Sequence, residues 1–449
     1  IYLLQYIHDH RADILSNIEN PEIISDDKCL CLTSNSIRQL NVIHNYSYFK
    51  GKNESLLSVC NLCVTPMGRR LCKERLLYPS IDVDVIKQRY DYIEYFRKDN
   101  FYEVIHKDLR KVSDLEKSLR KMGLSMLQPQ ELFSDSLSFD YIHKLVIHLQ
   151  NFVYPDSESI LQSFQEFYQE IHNTFEFQNF STTIMERSLF KKGVHETMDI
   201  YDNLMGDYLI IIKLLTKRLS KLLDNSENNI KYDYDERNGW HIYCTNKRAT
   251  TLKERFTNLH GNMIHLKNNE SKNIQSFLPD DFTFRNKDKS SRIIECKYSN
   301  EISQKLLTIQ YNISDLNKQL WKKTNEALYN KYHYSLKGLY LYLANIDVYC
   351  SGAKLSIQNG YCRPEMLDSE KSFCDFKGIR HPIVEKIHVN TEYITNDVRL
   401  GIDNKDGMLL FGTNACGKST LMKAIGLNII LAQAGFYVAA SSFIYKPYK

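Results

Sequence analysis

Near the C-terminal end of this 449-residue chain, Gly412-Thr413-Asn414-Ala415-Cys416-Gly417-Lys418-Ser419 fits the pattern G-x-x-x-x-G-K-[ST] in full. Each part has a chemical task. The glycines permit backbone conformations that turn successive N–H groups inward around phosphate oxygens, and a helix starting near Gly417 adds the partial positive charge of its N-terminus. Lys418 is suited to neutralising the β and γ phosphates, and the Ser419 hydroxyl to ligating Mg²⁺. The cofactors this implies are ATP or ADP with Mg²⁺. Average residue usage predicts on the order of 0.02 chance matches in a chain of this length. The apolar run Met408-Leu409-Leu410-Phe411 predicts a buried strand before the loop, and the stretch from about 417 to 433 predicts a helix after it.

The elements that must position such a loop can be read from composition and periodicity. A hydrophobic content of 43% is enough to bury sizeable cores, and 449 residues allow two or three domains. Pro is scarce at 9 and Gly at 17 while Tyr reaches 30, which favours long helices with half-buried aromatic faces over a turn-rich sandwich. The formal net charge is only +4, so any nucleic-acid contact must come from a local patch. No apolar run reaches the ~18 residues of a membrane span, and Ile1-Tyr2-Leu3-Leu4-Gln5 lacks the basic-then-apolar order of a secretory leader. The chain reads as an intracellular fragment without a membrane partner. Its eleven cysteines fit a reducing compartment. Cys29-Leu30-Cys31 and Cys60-Asn61-Leu62-Cys63 have ligand-like spacing for zinc, although Cys60 and Cys63 equally share one helix face.

From Ser34 to about Leu223 the periodicity is helical, as in Leu115, Leu119 and Met122 or Leu209, Ile212 and Leu215. The polar stretch from Asp224 to Asn229 predicts a linker. Asn238-Gly239 before the alternating Trp240-His241-Ile242-Tyr243-Cys244-Thr245 predicts a hairpin, with a second strand at Arg292-Ile293-Ile294-Glu295-Cys296. Helical spacing returns with Leu306, Ile309, Ile313, Leu316 and Leu320. The expected fold is mostly α with a small β-containing insert, followed by the start of an α/β nucleotide-binding domain.

Further motifs narrow the choice among nucleotide-binding proteins. Leu431-Ala432-Gln433-Ala434-Gly435-Phe436-Tyr437-Val438-Ala439-Ala440 follows the loop and its Thr420, while Arg380-His381-Pro382-Ile383-Val384-Glu385 and Tyr361-Cys362-Arg363-Pro364-Glu365-Met366 precede it. Much earlier come Thr65-Pro66-Met67-Gly68-Arg69-Arg70-Leu71 and Leu109-Arg110-Lys111-Val112-Ser113-Asp114-Leu115-Glu116. Together, and in this order, they resemble the MutS family of DNA mismatch-repair ATPases. The likeness is greater to the divergent branch of octocoral mitochondria and large DNA viruses than to bacterial MutS.

The resemblance implies the end of a connector domain at 1–25, a lever domain at 26–227 and 301–358, a DNA-embracing clamp at 228–300, and the first part of a P-loop ATPase domain at 359–449. It implies that Tyr393 stacks on adenine, that Ile394, Asn396 and Asn414 lie at the nucleotide, and that the catalytic carboxylates and the mismatch-reading aromatic lie outside this chain. Its implied partners are double-stranded and mismatched DNA and a second MutS-type subunit, and its location is with DNA in a mitochondrion, the cytoplasm or a viral factory. Thr413 and Cys416 depart from the family's usual Pro and Gly, which changes the loop's φ preferences. For the clamp, Lys247, Arg248, Lys287 and Lys289 are candidate phosphate contacts, interleaved with acids such as Asp280, Asp281 and Asp288. A long-arm chromosome-maintenance ATPase is the alternative with the same loop, but there the loop precedes the coils, and here the helices come first. A non-hydrolysing DNA-binding scaffold is the other.

Overall fold

Helix starts follow local chemistry. Thr65 Oγ1 accepts from the Gly68 N–H at 3.0 Å and Pro66 occupies the first turn, so the helix Pro66–Leu77 begins with both a cap and a preset φ. Asp82 caps Val83–Arg97, and Asp114 caps Leu115–Gly123, of which Leu115 and Met122 are buried. The computed structural model describes residues 2–18, 28–43, 54–181, 187–223, 229–259, 262–267, 273–387, 393–403, 405–414 and 416–449. Most of the linker expected at 224–229, and the loop residue Ala415, lie outside the described residues.

The chain is mostly helical with small, largely antiparallel sheets. It divides into two units, Ile1–Tyr168 with Leu328–Lys449, and Gln169–Ala327. The division falls within the helices Ser157–Thr174 and Lys297–Asn359, each of which supplies residues to both units. No helix among the described residues is long and apolar enough to cross a membrane.

In the second unit, β1 (Lys231–Asp235) and β2 (Gly239–Thr245) form the hairpin expected from Asn238-Gly239. Gly239 takes a φ of 66°, the left-handed conformation that lets a three-residue loop close. β3 (Ile264–Lys267) pairs with β4 (Asn273–Phe277), while β5 (Thr283–Asn286) and β6 (Ser291–Glu295) complete a sheet of order β1-β2-β6-β5. Between β2 and β3 lies a helix the periodicity reading omits, Asn246–Asn258, which buries Ala249, Leu252 and Phe256. Its core joins Ile242, Cys244 and Ile294 of the sheet to Ile212, Leu215 and Leu219 of the helix Glu196–Leu223.

In the first unit, β7 (Glu365–Met366), β8 (Phe373–Ile379), β9 (Asn396–Leu400) and β10 (Ser442–Lys446) make a sheet of order β7-β10-β8-β9. Phe376 and Phe443, register partners on β8 and β10, stack with ring centroids 3.8 Å apart. The expectation of a buried strand at Met408–Phe411 is corrected. The segment has no strand geometry, and Leu409 and Phe411 are 87% and 88% exposed. A buried strand needs ladder partners for its backbone groups, and no described strand pairs with this one.

Candidate functional site

The helix expected after the glycine-rich loop is Lys418–Ala434, with Gly417 at its N-cap. Gly417 has a φ of 92°, a left-handed conformation that strains any residue with a β-carbon. No side chain caps this end, and its first turn carries no acidic residue. The helix's own first turn therefore supplies no carboxylate to answer the donors and partial positive charge of its start. The Lys418 ammonium folds back over the loop, donating to the Gly412 carbonyl at 2.8 Å and the Thr413 carbonyl at 2.6 Å, with Cys416 Sγ at 3.6 Å.

An open cleft of about 1300 Å³ brings Lys418, Gly417, Cys416 and Thr420 together with Tyr393, Ile394 and Asn396, over an apolar wall that includes Val384 and Leu421. Gly412, Thr413, Asn414 and Ser419 are exposed but are not among the residues lining it. The Tyr393 ring is half-buried, and burial pushes its hydroxyl pKa up. Asn396 Nδ2 donates to the Ile394 carbonyl at 3.3 Å, which folds this short segment on itself at the start of β9. The geometry offers one aromatic face, one amide and one ammonium around a glycine-rich helix start. That set suits a planar base at one end and phosphate at the other.

The helix below the loop is fixed at its far end. Asn428, fully buried, donates to the Arg380 carbonyl at 3.0 Å and accepts from the Ala439 N–H at 2.7 Å, so it ties the Arg380-His381-Pro382 turn to the stretch ending at Ala440. Sequence reasoning passed over Asn428; the one available signal is a lone amide in an otherwise apolar run. Tyr90 donates to the Ala432 carbonyl at 2.7 Å and Arg89 to the Ala434 carbonyl at 3.1 Å, placing a cation where the helix dipole is negative. Burial, with Arg75 nearby, lowers the Arg89 pKa to about 9. Beside the cleft, burial and then Lys423 push His381 down to about 4, in keeping with its Nδ1 accepting from the Ile383 and Val384 N–H groups at 3.2 Å. Burial raises Glu385 even though Tyr361 donates to it at 2.6 Å and Arg380 stands at 3.1 Å.

In the second unit the four candidate cations divide. Lys287 is mostly buried: its ammonium lies 3.9 Å from the Tyr243 ring centroid, 3.8 Å from Asp235 and 4.0 Å from Asp233. Arg248 donates to the Asn229 carbonyl at 3.2 Å. Lys247 and Lys289 are exposed. The β5–β6 turn that carries Lys289 is tied to the start of the helix that carries Lys247, because the Asn246 N–H donates to the Ser290 carbonyl and Asn246 Nδ2 to the Lys289 carbonyl, both at 2.9 Å. The interleaved Asp288 accepts from the N–H groups of Ser290 and Ser291, which holds its carboxylate in the turn. Among the described residues no group of His, Cys, Asp and Glu could hold a metal ion, and the thiols of Cys60 and Cys63 are buried.

Comparison with known proteins gives a consistent result. The family described as MutS domain III matches residues 35–353. A putative DNA mismatch repair protein mutS homolog of Acanthamoeba polyphaga mimivirus is 28% identical, with 99% of this chain and 44% of the relative covered. A mitochondrial DNA mismatch repair protein mutS homolog of Sarcophyton glaucum is 26% identical over the same shares. The DNA mismatch repair protein MutS of Caldanaerobacter subterraneus is 26% identical over 98% of this chain and 47% of its own length. The chain thus spans less than half the length of these relatives.

Proposed function

The chain belongs to the MutS family, and on that premise we propose that it binds an adenine nucleotide in the cleft between Tyr393 and Lys418 and holds duplex DNA through its second unit, as part of a mismatch-repair ATPase that works as a dimer. The observation that carries the nucleotide reading is the convergence of Tyr393, Ile394 and Asn396 on Gly417 and Lys418 from separate stretches of chain. The residues fit the ligand: a glycine-initiated helix start without an acidic first turn suits phosphate, and the Tyr393 ring suits a purine. The exposed Ser419 hydroxyl would hold Mg²⁺, which supplies charge neutralisation at the phosphates when bound.

To bind phosphate, the Lys418 ammonium exchanges the carbonyls of Gly412 and Thr413 for phosphate oxygens. The loop is then freed to turn its N–H groups inward. The reading assigned to these 449 residues is nucleotide binding and DNA holding; hydrolysis and mismatch reading need carboxylates and an aromatic wedge that the motifs of this chain do not include. The proposed domain plan follows from the family: lever at 26–227 and 301–358, clamp at 228–300, and the start of the ATPase domain from 359.

The test is titration of the 449-residue chain with a fluorescent ADP analogue. Lys418→Ala should weaken binding by at least about tenfold, the worth of one charge-assisted hydrogen bond, and Tyr393→Ala should weaken it less while preserving phosphate dependence. Unchanged affinity in Lys418→Ala would remove the assignment.

A further inference from the structure

Two motifs singled out in the sequence, Thr65 to Leu71 and Leu109 to Glu116, play no part in the nucleotide cleft, yet the fold joins them to each other. Arg70 Nη1 and Nη2 donate to the two oxygens of Asp114 at 3.0 and 2.6 Å, and Arg70 Nε donates to Glu116 at 2.7 Å. One guanidinium thereby answers both carboxylates. Its pKa is raised, chiefly by the hydrogen bond to Asp114, and that of Asp114 is lowered: against the opposing effect of its burial, the Arg70 hydrogen bond leads.

The same residues form one wall of an open cleft of about 870 Å³ in the first unit, separate from the nucleotide cleft. Lys117 and Arg120 stand one turn apart on the helix Leu115–Gly123, and Tyr329, Lys337 and Tyr340 of the helix Lys297–Asn359 face them across the space. Arg70, Lys117, Arg120 and Lys337 line the cleft together with Asp114 and Glu116, and Arg70 is bonded to both carboxylates. Lys117 and Arg120 are exposed; among the described residues neither stands within ion-pair distance of a carboxylate, although Asp114 and Glu131 lie near enough to feel the charge of Lys117. Gly123 lets the Tyr329 ring close in on the helix, since a β-carbon there would lie 2.7 Å from the ring.

We propose that this cleft binds a phosphate-bearing ligand of about nucleotide size. Lys and Arg side chains with tyrosine hydroxyls are the usual partners of phosphate oxygens, and a guanidinium offers them a forked pair of donors. Phosphate reaches such a site either as a free oligophosphate or nucleotide, or as a stretch of single-stranded nucleic acid. The site is independent of the nucleotide reading at Lys418.

The experiment uses the 449-residue chain carrying Lys418→Ala, so that the glycine-rich loop contributes no lysine. Two probes are titrated: tripolyphosphate by calorimetry and a labelled twelve-residue oligothymidylate by fluorescence anisotropy. One or both should bind, and Lys117→Glu with Arg120→Glu should weaken that binding by at least about tenfold; for the oligonucleotide the log-log salt slope should flatten by about 0.7 for each phosphate no longer neutralised. The neutral pair Lys117→Gln with Arg120→Gln should fall between, and guards against a folding defect in the reversals. Sensitive binding of tripolyphosphate identifies a free oligophosphate as sufficient, whereas sensitive binding of the oligonucleotide alone identifies a strand. Binding of neither probe, binding that both double variants leave unchanged, or tighter binding of a polyglutamate peptide than of either probe overturns the proposal.

Discussion

Gly68 and Asp347 meet so closely that a β-carbon on the glycine would lie 2.3 Å from the aspartate's Oδ2. The carboxylate is fully buried and accepts from the Val64 N–H, the Thr65 N–H and, at 2.6 Å, the Thr65 hydroxyl. Thr65 is at once the cap of the helix Pro66–Leu77 and a hydrogen-bond donor to Asp347, and Gly68 is the gap through which the carboxylate approaches. The threonine-to-glycine spacing of this motif is therefore a packing requirement between two helices of the first unit.

Gly68→Ala should destabilise the first unit by about 1 to 3 kcal/mol, the usual cost of overpacking a closed site. Urea unfolding of the 449-residue chain measures it. A midpoint equal to the parent's would mean that Asp347 can move aside, and the tight approach would lose its meaning.

Two buried groups give opposite pH dependences, which single variants separate. Burial, then Lys423, holds His381 at about 4 when folded against 6.5 in the unfolded chain. Its contribution is complete above pH 6.5 and is lost as pH falls toward 4, up to about 3 kcal/mol. Asp135 is pushed up to about 6 from 3.8, chiefly by burial, with the Ser113 hydrogen bond opposing the rise. The fold favours its protonated form, so its contribution is present below pH 3.8 and is lost as pH rises through 6. Asp135→Asn should accordingly stabilise the chain at pH 7.5, and the gain should vanish toward pH 4. His381→Gln should reduce the loss of stability between pH 6.5 and 4.5. Parallel stability profiles for parent and variants would contradict both assignments.

Thiol labelling offers a probe of the loop. Cys416 and Cys31 are exposed, while most of the other cysteines are buried. A brief pulse of iodoacetamide should label these two first, and ADP with Mg²⁺ should protect Cys416 but not Cys31. Equal labelling of Cys416 with and without nucleotide, read by mass spectrometry, would count against the cleft as the nucleotide site.

If the second unit holds DNA as proposed, its candidate cations should not behave alike. Lys247→Glu with Lys289→Glu should weaken matched and mismatched duplexes together and flatten the log-log salt slope by about 0.9 for each phosphate the variant ceases to neutralise. Lys287→Glu removes a cation already engaged by Asp233, Asp235 and the Tyr243 ring, so its first effect should be a lower unfolding temperature. If Lys287→Glu weakens DNA binding more than the double variant does, without loss of stability, the division drawn between these lysines is wrong.

Periodicity and turn chemistry disclosed much of the fold. The buried faces of the long helices, the Asn238-Gly239 hairpin and the strand at Arg292 follow from spacing, because each depends on residues close in sequence. The helix Asn246–Asn258 was harder to see. Its buried residues Ala249, Leu252 and Phe256 do recur at helical spacing, but polar and charged neighbours dilute them. At Met408–Phe411 the apolar run reads as a strand, yet β structure is set by a partner strand, and no local pattern supplies one. The glycine-rich loop and the helix after it were legible because the motif is contiguous. The pairing of Lys287 with Asp233 and Asp235 was not, since charges more than fifty positions apart meet only after the hairpins fold.

The helix Lys418–Ala434 is held at one end and open at the other. Ala432, Gln433 and Ala434 are enclosed and bonded, whereas Gly417 and Ser419 face solvent. At 1.5 Å per residue its 17 residues span about 25 Å. Its fully buried residues begin at Ala424, and Asn428 is bonded to Arg380 and Ala439, so only the six residues Lys418 to Lys423, about 9 Å of that length, stand clear of the core. Displacement of the Lys418 ammonium from its own loop is therefore a matter of its side-chain torsions and of the first turn and a half, while the rest of the helix stays in place as the fixed base beneath it.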